Sequence, residues 1–277
     1  MFENILGHDN VKKQLTSDFN ESKVSHAYLF LGLEGIGKKE LAIEFARVLL
    51  DTNNLDTCVD YKYIEKLPDK KEIIVEQVRN KIVNDVYVAP ATGNYKVYII
   101  NDAHLLNAAA QNALLKTLEE PPKYVVIILI TNNEKALLTT VLSRVKKVKF
   151  NSLCNSDILA ILKEKYDTEI DENKLEYANG SLKVAVELSK EEDNKYLKID
   201  DLYKCYKKQD MLGAMKGIEQ VNFKDDETFN YLQYLFMQDK AFAQIPIIET
   251  SRNRMKQNAN EDIVKQALNI YIMKGDK

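Results

Sequence analysis

Hydrophobic residues in the first half of the chain follow two alternating patterns. Three short apolar runs, at residues 27–31, 97–100 and 125–130, are typical of buried strands in a parallel sheet. Each run precedes a turn and then a helical pattern, which after the first run consists of Leu41, Phe45 and Leu49. Strands that alternate with helices form right-handed βαβ units. We therefore predict an α/β fold with a doubly wound parallel sheet and helices on both faces.

Weaker patterns add further elements to this half. A last strand is predicted at residues 145–150, and a helix rich in strong helix formers covers residues 108–120 and stops at Pro121. The polar stretch 51–71 is expected to be an irregular surface segment. Two more helices are indicated by apolar residues on one face, namely Val11, Leu15 and Phe19 in one and Val75, Val78 and Ile82 in the other.

The pattern changes after Phe150, where strand-like runs give way to amphipathic helical segments. Helices that begin near residue 156 and after Gly180 suggest a small helical unit that ends near residue 205. Later segments, around 210–220, 227–244 and 260–273, suggest a helical bundle. We therefore predict three units, at 1–150, 151–205 and 206–277.

Composition makes an ordinary globular protein the simplest expectation. Among 277 residues, 45% are apolar and 29% charged, with 39 basic against 42 acidic side chains, so net charge does not predict a nucleic-acid partner. No stretch approaches the roughly 18 apolar residues of a membrane span, and the chain begins without a leader pattern. We expect a cytoplasmic protein with no membrane partner. The three cysteines and three histidines show no metal-binding spacing, and we expect reduced, buried thiols.

The first candidate site is a glycine-rich loop at residues 32–38. It fits the pattern G-x-x-x-x-G-K between a predicted strand and a predicted helix. Gly32, Gly35 and Gly37 let backbone N–H groups turn toward phosphate oxygens, and Lys38 is able to reach the β- and γ-phosphates. The alternative is a βα turn without a ligand. Lys39 stands where the pattern has Ser or Thr; because lysine cannot ligate Mg²⁺, phosphate attraction is expected to survive better than metal placement.

A second candidate site follows the run at 97–100, which has the form of a Walker B box. Asn101 occupies the position of an aspartate that holds Mg²⁺, and Asp102 that of a longer glutamate that polarises the attacking water. The amide lacks charge, and misplacement of the shorter carboxylate by about 1 Å costs on the order of 10²-fold in rate. The alternative is a strand that ends in polar turn residues. We expect impaired hydrolysis.

The segment 101–122, above all its part 110–122, closely resembles the AAA+ subunits of the bacterial DNA polymerase III clamp loader. Residues 26–30 before the glycine-rich loop and 142–144 after the third run resemble the same family in the same order, and the combination points to the delta-prime type. The resemblance implies an AAA+ P-loop domain at 1–150, a helical lid domain at 151–205 and an all-helical carboxyl-terminal collar domain for oligomerisation at 206–277.

The resemblance also implies roles for individual residues. Arg144, together with Ser143, matches the family motif whose arginine reaches ATP bound by a neighbouring subunit, whereas an isolated arginine would be taken for a solvated one. Gly7 matches the stretch that lies against an adenine. Lys183 aligns with the second sensor, where it either contacts a phosphate or is a solvated charge. Relatives often carry four cysteines where only Cys58 remains, so we expect no zinc and no other metal.

The function implied is that of a rigid ring member, a stator, in a DNA polymerase III holoenzyme. We expect ATP or ADP to be held at the glycine-rich loop and Asp102 without productive hydrolysis. Expected partners are gamma/tau-type motor and delta-type subunits, with the sliding clamp and primer-template DNA contacted through the complex. The alternative is a gamma-type ATPase that uses its own site. A small-molecule P-loop kinase would need an intact Mg²⁺ site and a substrate lid, and neither is evident.

Overall fold

The computed structural model describes residues 1–190 and 194–274, and these residues form two compact units. The first comprises Met1–Ile161 and Asn179–Lys183, and the second comprises Leu162–Ala178 and the described residues from Val184 onward. The division into three domains at residues 150 and 205 is a finer one and stays a prediction.

A five-stranded, entirely parallel sheet forms the centre of the first unit. The strand order is β2-β3-β4-β1-β5, which places three central strands between two edges. The central strands consist almost wholly of buried Val, Ile, Leu, Tyr and Phe, as expected for strands covered on both faces. This confirms the predicted fold class. The strands are β1 (Ala27–Leu31), β2 (Tyr61–Ile64), β3 (Lys96–Ile100), β4 (Val125–Thr131) and β5 (Lys146–Lys149).

Helices cover both faces of this sheet. Because successive strand residues point to opposite faces, the apolar side chains of the strands form two separate cores with these helices. One core joins α1 and α2 to residues such as Tyr28 and Ile99, and the other joins α3 and α4 to residues such as Leu29 and Ile100. The helices are α1 (Asp9–Asn20), α2 (Lys38–Leu50), α3 (Val75–Val78, continued by a π-helical turn at Arg79–Val83), α4 (Ala108–Glu119), α5 (Thr139–Leu142) and α6 (Asn155–Ile161).

The segment 51–71 was expected to be irregular, and that prediction was wrong in part. It contains β2, whose Tyr61 is paired with Val97 of β3. The strand has only four residues, one of them a lysine, and three of the four are partly exposed at the edge of the sheet. It therefore lacks the continuous apolar run that marks the central strands.

All regular secondary structure among the described residues of the second unit is helical, as predicted. Three of its helices were not predicted, namely α7 (Glu172–Ala178), α9 (Lys195–Lys207) and α12 (Ile245–Lys256). The buried face of α9 contains three tyrosines, of which Tyr196 and Tyr203 donate hydroxyl hydrogen bonds to Glu227 and Asp239. Helix α9 also continues through residue 205, where a domain boundary was predicted. The helices are α7 (Glu172–Ala178), α8 (Leu182–Ser189, which begins in the first unit), α9 (Lys195–Lys207), α10 (Met211–Gln220), α11 (Asp226–Gln238), α12 (Ile245–Lys256) and α13 (Glu261–Lys274).

The cysteines are unpaired, and none of them is buried. Cys58 and Cys205 are partly exposed and Cys154 is exposed, so the expectation of buried thiols was wrong. Within residues 1–190 and 194–274 there is no group of three or more His, Cys, Asp or Glu side chains that could hold a metal ion. No helix in the same ranges is both long and apolar enough to cross a membrane.

Candidate functional site

The glycine-rich loop leaves the carboxyl edge of the sheet, because β1 ends at Leu31 and α2 begins at Lys38. Gly37 caps α2 with a φ of 95°, and Gly35 has a φ of 74°, in the left-handed region that favours glycine. The first N–H groups of an α-helix have no partner within the helix, and the helix dipole adds positive potential there. This geometry suits the binding of an anion such as phosphate.

Neighbouring backbone and side chains hold the loop closely on two sides. A Cβ added to Gly32 would lie 2.7 Å from the carbonyl oxygen of Phe150, directly after β5. A Cβ added to Gly35 would overlap the Cβ of Lys183 and lie 2.6 Å from Ser181 Oγ. Both glycines are therefore required by packing within the first unit, beyond any need for N–H groups near a phosphate.

Lys38 lies inside the curve of the loop and is only 6% exposed. Its Nζ donates hydrogen bonds to the carbonyl oxygens of Gly32, at 2.8 Å, and of Leu33. Burial lowers the pKa of Lys38, and the negative charge of Asp102 opposes this shift. The ammonium group is thus placed within the loop, where a bound phosphate would meet it.

Lys183, the predicted second sensor, lies against the outer side of the same loop. Its Nζ is 2.6 Å from Oε1 of Glu34, and its backbone N–H donates to the carbonyl oxygen of Gly35. The hydrogen bond from Lys183 lowers the pKa of Glu34, and Ser181 Oγ donates to the Glu34 carbonyl oxygen at 2.9 Å. Sequence analysis missed Glu34, because its partner lies about 150 residues further along the chain.

Lys39 packs against an aromatic ring from a neighbouring strand. Its Nζ is 4.9 Å from the centre of the Tyr63 ring, a cation–π contact. Burial raises the pKa of Tyr63, and the carboxylates of Glu65 and Asp102 raise it further. Because Tyr63 belongs to β2, the strand that sequence analysis missed, this contact was missed as well.

Asn101 and Asp102 follow β3 at the same carboxyl edge. Asp102 has a left-handed φ of 49°, and the Asn101 side chain donates from Nδ2 to Asp102 Oδ2 at 2.9 Å. One carboxylate oxygen is therefore already engaged by a neutral amide. Thr131, at the end of β4, adds a buried hydroxyl 3.4 Å from His104 Nδ1. Sequence analysis missed Thr131 because it ended this strand at residue 130.

Gly7 belongs to the amino-terminal segment, which lies beside the glycine-rich loop. It is close to the beginning of α6. Its φ is 72°, and an added Cβ would lie 2.6 Å from Leu153 Cδ2 and 3.0 Å from Asp157 Oδ2. The neighbouring His8 contacts the loop through Nε2, which is 2.6 Å from the carbonyl oxygen of Ile36. Burial lowers the pKa of His8, so a neutral imidazole that donates its Nε2–H suits this position.

Arg144 lies at the amino edge of the sheet, where the parallel strands begin. It stands between the end of α5 and the start of β5. Its Nη1 donates to the carbonyl oxygen of Thr140 at 2.8 Å and to Ser143 Oγ at 3.0 Å. Its Nη2 is 2.9 Å from Oε1 of Glu119, the last residue of α4, and one third of the Arg144 side chain is exposed. Strands of four or five residues separate the two edges by roughly 15 Å.

The predicted site residues therefore form two groups. Arg144 and Ser143 lie together at the amino edge of the sheet. The others surround the glycine-rich loop at the carboxyl edge: Gly7, Gly32, Gly35, Gly37, Lys38, Lys39, Asp102 and Lys183.

A family model described as DNA polymerase III, delta subunit, matches residues 7–154, which is more than half of the chain. The chain belongs to the DNA polymerase III clamp-loader family. The glycine-rich loop, both edges of the sheet and the predicted arginine site all lie within the matched residues.

Relatives in this family carry the names of other subunits. The chain is 32% identical over 210 residues to the DNA polymerase III subunit gamma of Buchnera aphidicola subsp. Schizaphis graminum, covering 68% of this chain and 57% of that protein. It is 31% identical over 195 residues to the subunit tau of Bacillus subtilis, covering 66% of this chain and 34% of that protein. The chain thus spans only about a third to just over half of these relatives' lengths.

Solved structures agree with the fold of the clamp-loader family. A gamma subunit-related protein from Thermotoga maritima superimposes with a TM-score of 0.61 at 16% identity, over 97% of this chain and all of that one. The Thermotoga maritima RuvB Holliday junction branch migration motor gives a TM-score of 0.50 at 18% identity, over 92% of this chain and 83% of that one. At these identities the likeness concerns the fold alone.

Proposed function

We propose that this chain is a delta-prime-like stator of the DNA polymerase III clamp loader, which donates Arg144 to ATP bound by a neighbouring subunit. The observation that supports this most directly is the place of Arg144. Its partly exposed guanidinium lies at the amino edge of the sheet, roughly 15 Å of strand away from the chain's own phosphate loop. It is therefore out of reach of that loop and accessible to another molecule.

The chemistry of a guanidinium fits this role. It is always charged and carries five N–H donors in a plane, so it can contact two oxygens of a transferring phosphoryl group at once. An arginine that stabilises this charge from a neighbouring subunit is worth about 10³ to 10⁵ in rate. Ser143, whose hydroxyl accepts a hydrogen bond from Nη1, assists by orienting the guanidinium.

The chain's own loop fits a phosphate better than it fits a metal ion. Lys38 and the start of α2 offer positive charge and N–H donors to phosphates of ATP or ADP, and Gly7 and Lys183 lie beside the loop. Mg²⁺ would need a hydroxyl and a carboxylate where Lys39 and Asn101 stand. The Asn101 amide, moreover, engages the nearby Asp102 carboxylate. We infer nucleotide binding without productive hydrolysis, and we derive no step through a metal.

Membership of the clamp-loader family supports partners of matching type: gamma/tau-type ATPase subunits and a delta-type subunit. The sliding clamp and primer-template DNA would be met through the assembled complex. The nearly balanced charge of this chain, formally −3, is consistent with an indirect role toward DNA.

The test is ATP turnover by a reconstituted complex in the presence of clamp and primed DNA. Arg144→Ala is expected to lower the turnover of the neighbouring active site by about 10³-fold. Lys38→Ala is expected to leave turnover within about twofold, because the chain's own loop does not hydrolyse ATP. Arg79→Ala, which removes an exposed arginine of the same unit, serves as the matched control. Unchanged turnover with Arg144→Ala would overturn the proposal.

A second candidate function, a gamma-type ATPase, is supported by the 32% identity to a gamma subunit over 68% of the chain. It requires steady hydrolysis by the isolated chain, abolished by Lys38→Ala.

Nucleotide binding with and without Mg²⁺ separates the two candidate functions further. For a stator, Mg²⁺ should not tighten binding to the wild-type chain, whereas the double variant Lys39→Thr, Asn101→Asp should regain Mg²⁺ dependence. Tightening of the wild-type chain by Mg²⁺ would favour the ATPase.

A further inference from the structure

Glu119 meets Arg144 at the amino edge of the sheet, although the two residues belong to different elements. Glu119 ends α4, and Arg144 follows α5. Glu119 Oε1 lies 2.9 Å from Arg144 Nη2. We infer that Glu119 is a positioning residue, which orients the Arg144 guanidinium for a phosphate of the neighbouring subunit. This inference rests on the proposed function of Arg144.

The guanidinium is held at both of its terminal nitrogens from two directions. On the side of α5, Nη1 donates to the Thr140 carbonyl oxygen and to Ser143 Oγ. On the side of α4, the Glu119 carboxylate faces Nη2. Because a guanidinium is rigid and planar, holding both Nη atoms sets the direction of the whole group. The Nε–H and the second hydrogen of Nη2 then remain available to acceptors from outside, as no contact within the described residues engages them.

The two elements that hold Arg144 are themselves joined by a buried side chain. Gln111, near the start of α4, accepts a hydrogen bond from the backbone N–H of Leu138 at 2.7 Å. The same side chain donates to the carbonyl oxygen of Ala136 at 3.1 Å. Leu138 directly precedes α5. The elements that carry Glu119 and lead to Arg144 are therefore packed together, and they are not two independent surface segments.

Folding stability does not account well for a glutamate in this place. Glu119 stands at the carboxyl end of α4, where the helix dipole disfavours a negative charge. Its side chain is 50% exposed and that of Arg144 is 33% exposed, so solvent screens their attraction. The Glu119 carboxylate instead limits the rotamers of the Arg144 side chain before Arg144 contacts a phosphate of the neighbouring subunit.

The experiment measures ATP turnover by the reconstituted clamp loader with variants of this chain. Glu119→Ala is expected to lower kcat about three- to tenfold while KM for ATP stays unchanged, because ATP binds the neighbour before Arg144 acts. Glu119→Asp, which keeps the charge, should restore part of the loss. Glu120→Ala, at the adjacent exposed glutamate, is the matched control and should leave kcat unchanged. Equal melting temperatures show that all variants are folded.

The double variant Glu119→Ala, Arg144→Ala decides whether Glu119 acts through Arg144. It should be no slower than Arg144→Ala alone. A normal or raised kcat with Glu119→Ala, or a further loss of kcat in the double variant, overturns the positioning role of Glu119. If Arg144→Ala is itself slow, the proposed function of Arg144 still stands. Normal turnover with Arg144→Ala overturns both proposals.

Discussion

Positively charged side chains make different contacts at the carboxyl edge and at the amino edge of the sheet. At the carboxyl edge, the three lysines predicted for the site are each held by a group of the first unit: Lys38 by loop carbonyls, Lys39 by the ring of Tyr63 and Lys183 by Glu34. At the amino edge, Arg144 is oriented by three groups and is still one third exposed. The number of cations near an edge is therefore a poor guide to catalysis. More informative is which groups each cation contacts and what remains accessible.

This difference predicts that substitutions at the two edges have different effects, on folding stability at one edge and on ATP turnover by the complex at the other. The carboxyl edge depends on glycines that fit closely against neighbouring backbone and side chains, so changes there should cost folding free energy. The amino edge depends on exposed polar contacts, so changes there should affect turnover and leave the fold intact. The following substitutions test that contrast.

The largest loss of stability is expected for Gly35→Ala. The left-handed φ of 74° is unfavourable for alanine, and the new Cβ would overlap Lys183. Together these effects should lower the free energy of unfolding by about 2–4 kcal/mol in urea denaturation. Gly93→Ala is the matched control, because its φ is 72° but nothing lies within 4 Å of the added Cβ. Only about 1 kcal/mol is expected there. Equal losses at the two positions would contradict close packing at the loop.

Arg144→Ala should lower the free energy of unfolding by less than about 1 kcal/mol, because its ion pair with Glu119 is exposed to solvent. The same substitution is expected to reduce turnover at the neighbouring active site of the complex by about 10³-fold, as described above. Denaturation of the purified variant tests the first expectation. A large loss of stability would make the amino edge a structural site, and the contrast between the edges would fail.

A pH dependence is expected at the carboxyl edge from His8. Burial lowers its pKa in the folded chain from an ordinary value of 6.5, so the unfolded chain binds the proton more readily. Stability is therefore fully present above pH 6.5 and is lost as the pH falls toward the lower, folded pKa. His8→Gln retains a donor for the Ile36 carbonyl oxygen but does not titrate. Its unfolding free energy should fall less than that of the wild type between pH 7.5 and 5.5; equal slopes would refute the role of His8.

The smallest effect is expected for the ion pair between Glu34 and Lys183, whose side chains are 63% and 55% exposed. A double-mutant cycle with Glu34→Gln and Lys183→Met should yield a coupling of about 0.5 kcal/mol, which falls at high salt. A coupling of several kcal/mol that resists salt would show that this pair, and not glycine packing, holds the loop.

The sequence by itself determined the elements with strong local patterns. Continuous apolar runs identified β1, β3 and β4, because strands buried on both faces have few polar positions. The spacing of Gly32, Gly37 and Lys38 predicted the glycine-rich loop between β1 and α2, and residues 110–122 identified the family. Strand β2 has one exposed edge, and two buried tyrosines of α9, Tyr196 and Tyr203, depend on acceptors in and directly after α11, so neither element carried such a local signal.

Only the tertiary structure decided which charged groups meet. Glu34 and Lys183 are about 150 residues apart, Lys39 finds Tyr63 on an unpredicted strand, and Glu119 approaches Arg144 through the packing of α4 against α5. The physical reason is that hydrophobic periodicity records how each segment is buried, whereas a side-chain pair depends on strand order and on how helices pack. The sequence therefore suggested that Arg144 is important, and the fold decided that it stands apart from the glycine-rich loop, with Glu119 beside it.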